Sequence, residues 1–170
     1  EVENIASGWY HITALKSDGS VWAWGGNIGG VIGDGSDIDR ATPVAVAGFG
    51  PGSGVRDLAA GARFMLARKA DGSIWSWGYN YESQLGPRES RDDRIPSRMT
   101  GFSDAIAIAA GGAHSLALRS DGTVWAWGHN YYGQLGDGTR TTQIYGGGRL
   151  EPIPVPGMSG ARLIAGGHAH

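Results

Sequence analysis

Residues 111–139 read GGAHSLALRSDGTVWAWGHNYYGQLGDGT. The centre of this stretch, Trp125-Ala126-Trp127-Gly128, occurs twice earlier in the chain, as Trp22-Ala23-Trp24-Gly25 and as Trp75-Ser76-Trp77-Gly78. The copies are 53 and 50 residues apart. A fixed period in this range indicates a repeat architecture, in which each unit buries its apolar face against its neighbours. Function is then expected on surfaces that several repeats build together.

Each tryptophan pair follows an Asp-Gly step, which indicates a β-hairpin. Asp-Gly between two apolar runs favours a type I′ turn, which needs positive φ at both central residues. On the returning strand the period of two places the paired tryptophans on one face. We therefore assign a structural role in the repeat to Gly19, Gly72, Gly122, Trp22, Trp24, Trp75, Trp77, Trp125 and Trp127.

An apolar strand precedes each hairpin, and an extended segment with proline near its start follows it, at Pro43, Pro96 and Pro152. Proline cannot donate to a strand ladder, so this last segment is predicted to be an edge strand. Four short strands in about 50 residues are typical of a propeller blade. The sequence predicts one all-β domain over residues 1–170, a β-propeller of about three four-stranded antiparallel blades, with repeats at 4–56, 57–106 and 107–162.

Three blades make an arc with two open faces rather than a ring. We expect the ring to close by homodimerisation, giving six blades, or the chain to be part of a larger propeller. Residues 163–170 duplicate 4–11, so the innermost strand is predicted a fourth time. This surplus strand either completes a neighbour's first blade or reflects where a longer protein was cut. The chain has no initiator Met and no signal-like start, which also suggests a processed or excised protein.

The residues from Gly111 to Thr139 resemble the repeat of the regulator of chromosome condensation family, and the resemblance extends over nearly the whole chain. It implies a β-propeller that forms a seven-bladed ring in long members. It also implies guanine-nucleotide exchange as one possible activity, although the basic tail of exchange members is missing here. A similar propeller occurs among β-lactamase inhibitors, which adds enzyme inhibition as another interpretation.

Charge and composition exclude several partner classes. With 14 Lys and Arg against 16 Asp and Glu, the net charge is -2, so nothing favours nucleic acid or an anionic membrane. The chain contains no cysteine and hence no disulfide framework. Bacterial relatives of the repeat are often surface or secreted proteins, so the resemblance implies an extracellular or cell-surface location.

No residues are assigned to catalysis, to a metal or to a cofactor. His11, His114 and His170 occupy matching positions, but Phe64 stands there in the second copy, so these histidines are expected to pack in the blade with one ring nitrogen bonded. His168 and His170 share a strand face but lack a third ligand. The aspartates near residue 34 are interpreted as turn residues, like the asparagines at matching loop positions. We therefore predict that the protein is not an enzyme.

The loops where the copies disagree are the candidate binding sites. Tyrosine is frequent there, and tyrosine offers rigid amphipathic contact area. The second copy adds a mixed charge cluster at 88–94, and the third carries about six extra residues around 143–150; both could be neutral solvated loops. The candidate binding residues are Trp9, Tyr10, Arg63, Tyr79, Tyr81, His129, Tyr131 and Tyr132.

The leading hypothesis is a non-catalytic scaffold that binds a protein or a glycan through aromatic loop tips. The main alternative is a self-assembling or truncated propeller whose partner is itself. Guanine-nucleotide exchange and enzyme inhibition are the other two alternatives.

Overall fold

The computed structural model describes residues 1–88 and 92–170, and these form three four-stranded antiparallel sheets. The sheets have the order β1-β2-β3-β4, β5-β6-β7-β8 and β9-β10-β11-β12 and are called blades one, two and three. The prediction of three four-stranded blades is confirmed. The strands are β1 (Val2–Ser7), β2 (His11–Lys16), β3 (Val21–Gly25), β4 (Arg40–Ala45), β5 (Val55–Ala60), β6 (Phe64–Lys69), β7 (Ile74–Tyr79), β8 (Asp92–Arg98), β9 (Ala105–Ala110), β10 (His114–Arg119), β11 (Val124–Gly128) and β12 (Arg149–Pro154).

Connections alternate between the two faces of the arc because neighbouring strands are antiparallel. One face, here called the long-loop face, carries residues 8–10, 26–39, 61–63, 80–88, 111–113 and 129–148. Its first long loop contains a short 3-10 turn at Ile28–Gly30. The opposite face, the turn face, carries residues 17–20, 46–54, 70–73, 99–104, 120–123 and 155–161. Within the described ranges, no helix has the length and apolar character that crossing a membrane requires.

The Asp-Gly hairpins form, but the predicted type I′ turn is wrong. Gly19 has φ +83°, whereas Asp18 does not have a positive φ. The N–H of Gly19 donates to Lys16 O (2.8 Å) and that of Lys16 to Ser20 O (2.9 Å), which is a type I turn closed by a left-handed glycine. Asp18 stabilises this shape because its Oδ1 accepts from both the N–H and the hydroxyl of Ser20. These hydrogen bonds lower the pKa of Asp18 below its usual value.

The turn also holds the first tryptophan of each pair. The Ser20 hydroxyl accepts from Trp22 Nε1 at 3.1 Å, and Ser73 and Thr123 accept from the matching tryptophans at 3.3 and 3.1 Å. The repeated Asp-Gly-Ser/Thr-x-Trp pattern is therefore one hydrogen-bonded unit. This gives the structural assignments of Trp22, Trp75 and Trp125 a physical basis.

The prolines lie in the second half of the edge strands, not near their start as predicted. Ala23 pairs with Val44 and Gly25 with Arg40, so residues 41–43 of β4 bulge out opposite the single residue Trp24 of β3. Pro43 lies in this bulge, where the ladder needs no N–H. The same irregularity recurs in β8 and β12 and accommodates Pro96 and Pro152.

The core lies between successive blades, and the second tryptophan of the pair is at its centre. Trp77 and Trp127 are both fully buried. The Nε1 of Trp77 donates to Val31 O of blade one, and that of Trp127 to Gln84 O of blade two, both at 2.9 Å. Each indole thus joins its own blade to the loop of the preceding one.

The two ends of the arc are open, as the repeat count predicts. Trp24 matches Trp77 and Trp127 but is only half-buried, because residues 1–170 supply no blade to cover that side. At the other end Val155 is half-buried, whereas its counterparts Val46 and Met99 are 2% exposed. Both positions would be covered by a further blade.

Residues 163–170 do not form the predicted fourth innermost strand, because a single strand has no hairpin to pair with. The segment nevertheless starts the next unit. The N–H of Gly167 donates to His170 O at 3.0 Å, as that of Gly8 does to His11 O. A series of backbone hydrogen bonds also joins the loops that follow the first strand of each blade, from Trp9 N to Ala62 O (3.1 Å), from Ala62 N to Gly112 O (3.0 Å) and from Gly112 N to His168 O (2.9 Å).

Candidate binding face

All eight candidate binding residues lie on the long-loop face or at the strand ends beside it. They do not form one continuous patch. Trp9, Arg63, Tyr79 and Tyr81 lie together over blades one and two, whereas His129 and its two neighbouring tyrosines lie over blade three. Tyr10 contacts only the edge of the first group, through Trp9. Their role in binding stays a prediction, and their position on one face of the fold is consistent with it.

Three recurring asparagines build the long loops on this face. Asn27 is fully buried; its Oδ1 accepts from Ile32 N at 2.8 Å, and its Nδ2 donates to the carbonyls of Ser36 and Ile38. Asn80 and Asn130 accept in the same way, from Leu85 N and Leu135 N at 2.9 and 3.1 Å. The asparagines are therefore turn residues, as predicted.

A pocket of about 290 Å³ opens on this face between the three blades. Its apolar walls are the rings of Trp9, Tyr79 and Tyr145, and its charged groups are Arg63 and Glu82. We call it the Arg63–Glu82 pocket. Two of these residues, Glu82 and Tyr145, are absent from the candidate set that sequence reasoning produced.

Arg63 stands between two aromatic rings. Its guanidinium carbon lies 5.6 Å from the centroid of Trp9 and 6.0 Å from that of Tyr79. Such cation–π contacts hold a guanidinium in place without using its N–H groups. Arg63 Nε is buried and has no hydrogen-bond partner among the described residues.

Glu82 is a buried carboxylate with half of its hydrogen-bonding capacity unused. The residue is 5% exposed, and its Oε1 accepts from Gly146 N at 3.0 Å. Its Oε2 has no partner in the described part of the chain. Burying a carboxylate oxygen without a donor is costly, so Oε2 is the oxygen of Glu82 that the described chain leaves unsatisfied.

The extra residues of the third copy shape this pocket. They cross to blade two, where Gly148 packs so closely that a Cβ there would lie 1.7 Å from Glu82 O. Tyr145, 74% exposed, reaches the pocket rim in this way. Sequence reasoning identified the insertion and its tyrosine and glycines but had no signal for the direction in which the loop folds.

Tyr79 and Tyr81 form a stacked pair, with centroids 6.1 Å apart and an interplanar angle of 20°. Burial, together with the negative charge of Asp92, raises the pKa of Tyr79, and Glu82 contributes in the same direction. The Tyr79 hydroxyl therefore stays protonated and can donate. Tyr81 is half-buried, so part of its ring is used inside the protein.

The second group is a compact aromatic cluster on blade three. Tyr131 and Tyr132 pack edge to face at 5.0 Å, and His129 stacks on Tyr131 at 6.5 Å. His129 Nδ1 contacts Gln134 Nε2 at 2.7 Å, and its Nε2 contacts Ile144 O at 3.0 Å. His129 therefore anchors the insertion, while Tyr132, 58% exposed, is the member available to a partner.

Tyr10 lies at the open end of blade one. It packs edge to face on Trp9 at 6.4 Å and is largely exposed. With His11 and Trp24 it borders a hollow of about 330 Å³ that belongs to the open blade face rather than to the Arg63–Glu82 pocket. Tyr10 is thus better placed to contact a preceding blade.

The charge cluster of blade two is largely used within the protein. Arg88 forms an ion pair with Asp93 and donates to Ser97 O at 2.7 Å, while Arg94 pairs with Asp37 at 2.9 Å. Two further members of the cluster, Glu89 and Arg91, lie outside the described residues. Arg88 thus ties the outer strand of blade two to its own loop, and Arg94 ties the same strand to the long loop of blade one.

The buried histidines do not form a ligand site. His11 Nε2 lies 3.3 Å from Met65 Sδ, as expected of a packed histidine with one bonded nitrogen. For His114 that prediction is wrong, because neither ring nitrogen has a partner among residues 1–88 and 92–170. Burial lowers the pKa of both to about 4. In the same residues, no group of three or more His, Asp or Glu side chains is arranged to hold a metal ion.

Comparison with protein-family models identifies the repeat. The regulator of chromosome condensation (RCC1) repeat matches residues 18–68, 71–118 and 121–170, and a second model of the same repeat matches 2–30, 55–84 and 105–134. Among curated proteins, the ultraviolet-B receptor UVR8 of Arabidopsis thaliana is 34% identical over 102 residues, 60% of this chain and 23% of that protein. The X-linked retinitis pigmentosa GTPase regulator of Mus musculus is 34% identical over 100 residues, 59% of this chain and 10% of that protein.

Solved structures share the blade arrangement. Prp20p of Saccharomyces cerevisiae superposes with a TM-score of 0.83 at 23% identity, covering 98% of this chain and 42% of that one. Human WBSCR16 superposes with a TM-score of 0.79 at 25% identity, covering 92% and 38%. The chain thus spans less than half of these propellers and about a quarter or less of the curated relatives it matches.

Proposed function

Because the chain belongs to the RCC1 repeat family, we propose that it is a non-catalytic β-propeller scaffold that binds another protein through its long-loop face. The observation that carries the proposal is the distribution of exposed aromatic rings. Trp9, Tyr10, Tyr132 and Tyr145 are each more than half exposed, and all four lie on this face. Aromatic side chains are enriched at the centres of protein interfaces.

The loops beneath these rings are fixed by internal hydrogen bonds, which supports a role in recognition. The long loops are held by buried asparagines and by the insertion's contacts with blade two. A preorganised surface loses little conformational freedom on binding. The yeast relative Prp20p has been described with binding properties to Gsp1p and histones, and a further structure has it bound to Kap60. Protein binding by this family is consistent with the proposal.

A capture experiment tests this function. The wild-type protein and a variant with Trp9→Ser, Tyr132→Ser and Tyr145→Ser are immobilised, and proteins retained from an extract of the source cells are identified by mass spectrometry. These three side chains are largely exposed, so their loss should leave the melting temperature nearly unchanged. Tyr81 and Tyr131 are kept because both are half-buried in aromatic stacks.

The control is Met158→Ser, which removes an exposed apolar side chain from the turn face. We expect specific partners on the wild type and on this control, and none on the triple variant. Equal retention by all three proteins would rule out the long-loop face. If a small GTPase were retained, nucleotide release in its presence would test the exchange activity that the family resemblance implies.

The second candidate function is self-association through the open blade faces. It is favoured by the half-buried Trp24 at one end and Val155 at the other. In the interior of the arc the matching residues are fully covered by a neighbouring blade. A second copy of the chain would supply that blade.

A further inference from the structure

We infer that the Arg63–Glu82 pocket binds a neutral carboxamide, the side chain of Asn or Gln on a partner protein. This inference rests on the proposed function, because it names what the long-loop face recognises in its partner. The observation behind it is a pair of polar side chains, Arg63 and Glu82, that line one pocket. In each of them one polar atom, Arg63 Nε or Glu82 Oε2, is buried without a hydrogen-bond partner in the described chain.

The two atoms offer opposite chemistry. Arg63 Nε is a donor, and Glu82 Oε2 is an acceptor. No ion pair joins the two side chains among the described residues, so each retains its capacity for a ligand. A carboxamide has an oxygen that accepts from Arg63 and an NH₂ group that donates to Glu82. It therefore complements the donor side chain and the acceptor side chain of the pocket with one group.

Charge excludes the ionic alternatives. A cationic side chain would be attracted by Glu82 but repelled by Arg63, and the rings of Trp9 and Tyr79 already hold that guanidinium. An anionic side chain would be attracted by Arg63 but repelled by Glu82. The two charges of the pocket cancel, so a neutral dipolar group is the ligand that gains from both without repulsion.

The volume and the walls of the pocket fit a single side chain. About 290 Å³ is at the small end of ligand pockets, which suits a single residue rather than a large cofactor. The aromatic walls can pack on the aliphatic part of a glutamine and on the flat face of its amide. Tyr145 stands at the rim, where it can close over the bound group.

The positions that carry the pocket are specific to this blade pair. Glu82 corresponds to Gly29 in blade one and Tyr132 in blade three, while Arg63 corresponds to Tyr10 and Ala113. The framework therefore does not require either charge. This makes a ligand a better explanation of the pair than a constraint of the fold, and it provides variants that the fold accepts.

The test is a set of small probes of matched size: butyramide, butyrate and n-butylammonium. Each is titrated into ¹⁵N-labelled protein, and two signals are followed by NMR, the Gly146 amide that donates to Glu82 and the Trp9 indole N–H. We expect saturable shifts of both signals with butyramide, and no saturable shift with the two ionic probes at the same concentrations.

Two variants test the individual contacts. Glu82→Gln keeps the size but turns the free acceptor into a donor, and Arg63→Ala removes the donor and places in blade two the residue that blade three has. Each should weaken butyramide binding about tenfold, the loss of one hydrogen bond in a buried site. Met158→Ser, on the turn face and away from the pocket, should bind like the wild type. If Glu82→Gln lost its native spectrum, Arg63→Ala alone would decide.

Equal binding of either ionic probe, an absence of saturable shifts, or unchanged butyramide binding by Arg63→Ala would overturn the inference. The probe experiment is independent of protein capture. Butyramide binding without any captured partner would leave the pocket's chemistry intact and argue against the scaffold function. Capture of a partner without butyramide binding would support the scaffold function and overturn the carboxamide inference.

Discussion

Trp24, Trp77 and Trp127 show at the residue scale what a neighbouring blade contributes. The indoles of Trp77 and Trp127 each donate to a carbonyl of the preceding blade, whereas Trp24 lies on the side of the arc that residues 1–170 leave uncovered and is half-buried. The same residue in the same local structure is thus buried and bonded, or partly exposed, according to its position along the arc.

We predict that Trp77→Phe lowers the free energy of unfolding by about 2–4 kcal/mol, because it leaves Val31 O buried without its donor and opens a cavity. Trp24→Phe is the matched control and should cost less than about 1 kcal/mol. Urea unfolding followed by circular dichroism measures both. Equal losses would contradict the role assigned to the contact between blades.

His114 should make stability depend on pH. Its pKa is about 4 in the fold and 6.5 in the unfolded chain, so the unfolded state binds more protons between these values. The stabilisation is complete above pH 6.5 and is lost as the pH falls towards 4. This lowering of the pKa of His114 makes the free energy of unfolding about 3 kcal/mol higher above pH 6.5 than below pH 4. His11 contributes in the same direction.

We expect His114→Phe to flatten the decline of unfolding free energy between pH 6.5 and 4. It also removes two buried ring nitrogens that lack partners, so the variant should be more stable than the wild type at pH 5. Phe64 at the matching position shows that the blade accepts this ring. Urea unfolding at several pH values measures this dependence. If the unfolding free energy of His114→Phe fell with pH as steeply as that of the wild type, His114 would not be its source.

At this scale the sequence predicts framework residues better than binding residues. The tryptophans, glycines and asparagines recur because every blade needs the same hydrogen bonds, and recurrence is visible in the sequence. Glu82 lies in a loop where the copies disagree, but it does not recur, so the sequence marked the loop without singling out this residue. The type of the Asp-Gly turn was mispredicted because Asp18 bonds to Ser20 and thereby favours a turn with only one left-handed residue.

At the scale of elements, the insertion in blade three is the least predictable part of the long-loop face. Its path is fixed by single contacts: Gly146 N with Glu82, His129 with Ile144 O, and the close approach of Gly148 to Glu82 O. Such contacts join distant segments without periodicity. Sequence patterns could therefore place the loop on this face but not over blade two.

We predict that Gly148→Ala displaces the insertion, since its Cβ would lie 1.7 Å from a backbone oxygen of Glu82. The Gly146 amide should then lose its hydrogen bond and exchange with solvent at least about tenfold faster. Gly147→Ala is the control, because its Cβ would meet the flexible side chain of Gln143 at 3.1 Å. Amide hydrogen exchange by NMR distinguishes the two variants; equal rates would contradict the proposed packing.

At the scale of the whole molecule, the open faces are complementary. Trp77 lies beside Gly33 and Val46 of the preceding blade, and the corresponding site at the far end of the arc is formed by Gly136 and Val155. Within the arc, such a site receives the second tryptophan of the next blade. Trp24 is that tryptophan in blade one, so Trp24 of a second copy matches the open site at Gly136 and Val155. The number of blades in a closed ring does not follow from the sequence, because each repeat specifies only its contacts with the next.

We predict a homodimer in which Trp24 of each copy packs against Val155 of the other. Size-exclusion chromatography with light scattering over a wide dilution series should give twice the chain mass of 17.7 kDa. Val155→Arg should yield the monomer, because it places a charge in the contact. Met158→Arg on the turn face should leave the dimer intact. A wild-type monomer at all concentrations would refute closure by self-association.

The backbone series from Trp9 through Ala62 and Gly112 to His168 gives the arc a direction. Every link has its donor in the earlier blade and its acceptor in the later one. Inserting or deleting a whole repeat leaves the same kind of group at each terminus, an acceptor at the start and a donor at the finish. Gene duplication can therefore lengthen such a protein without designing a new junction, whereas a blade added in reverse orientation would find no matching end.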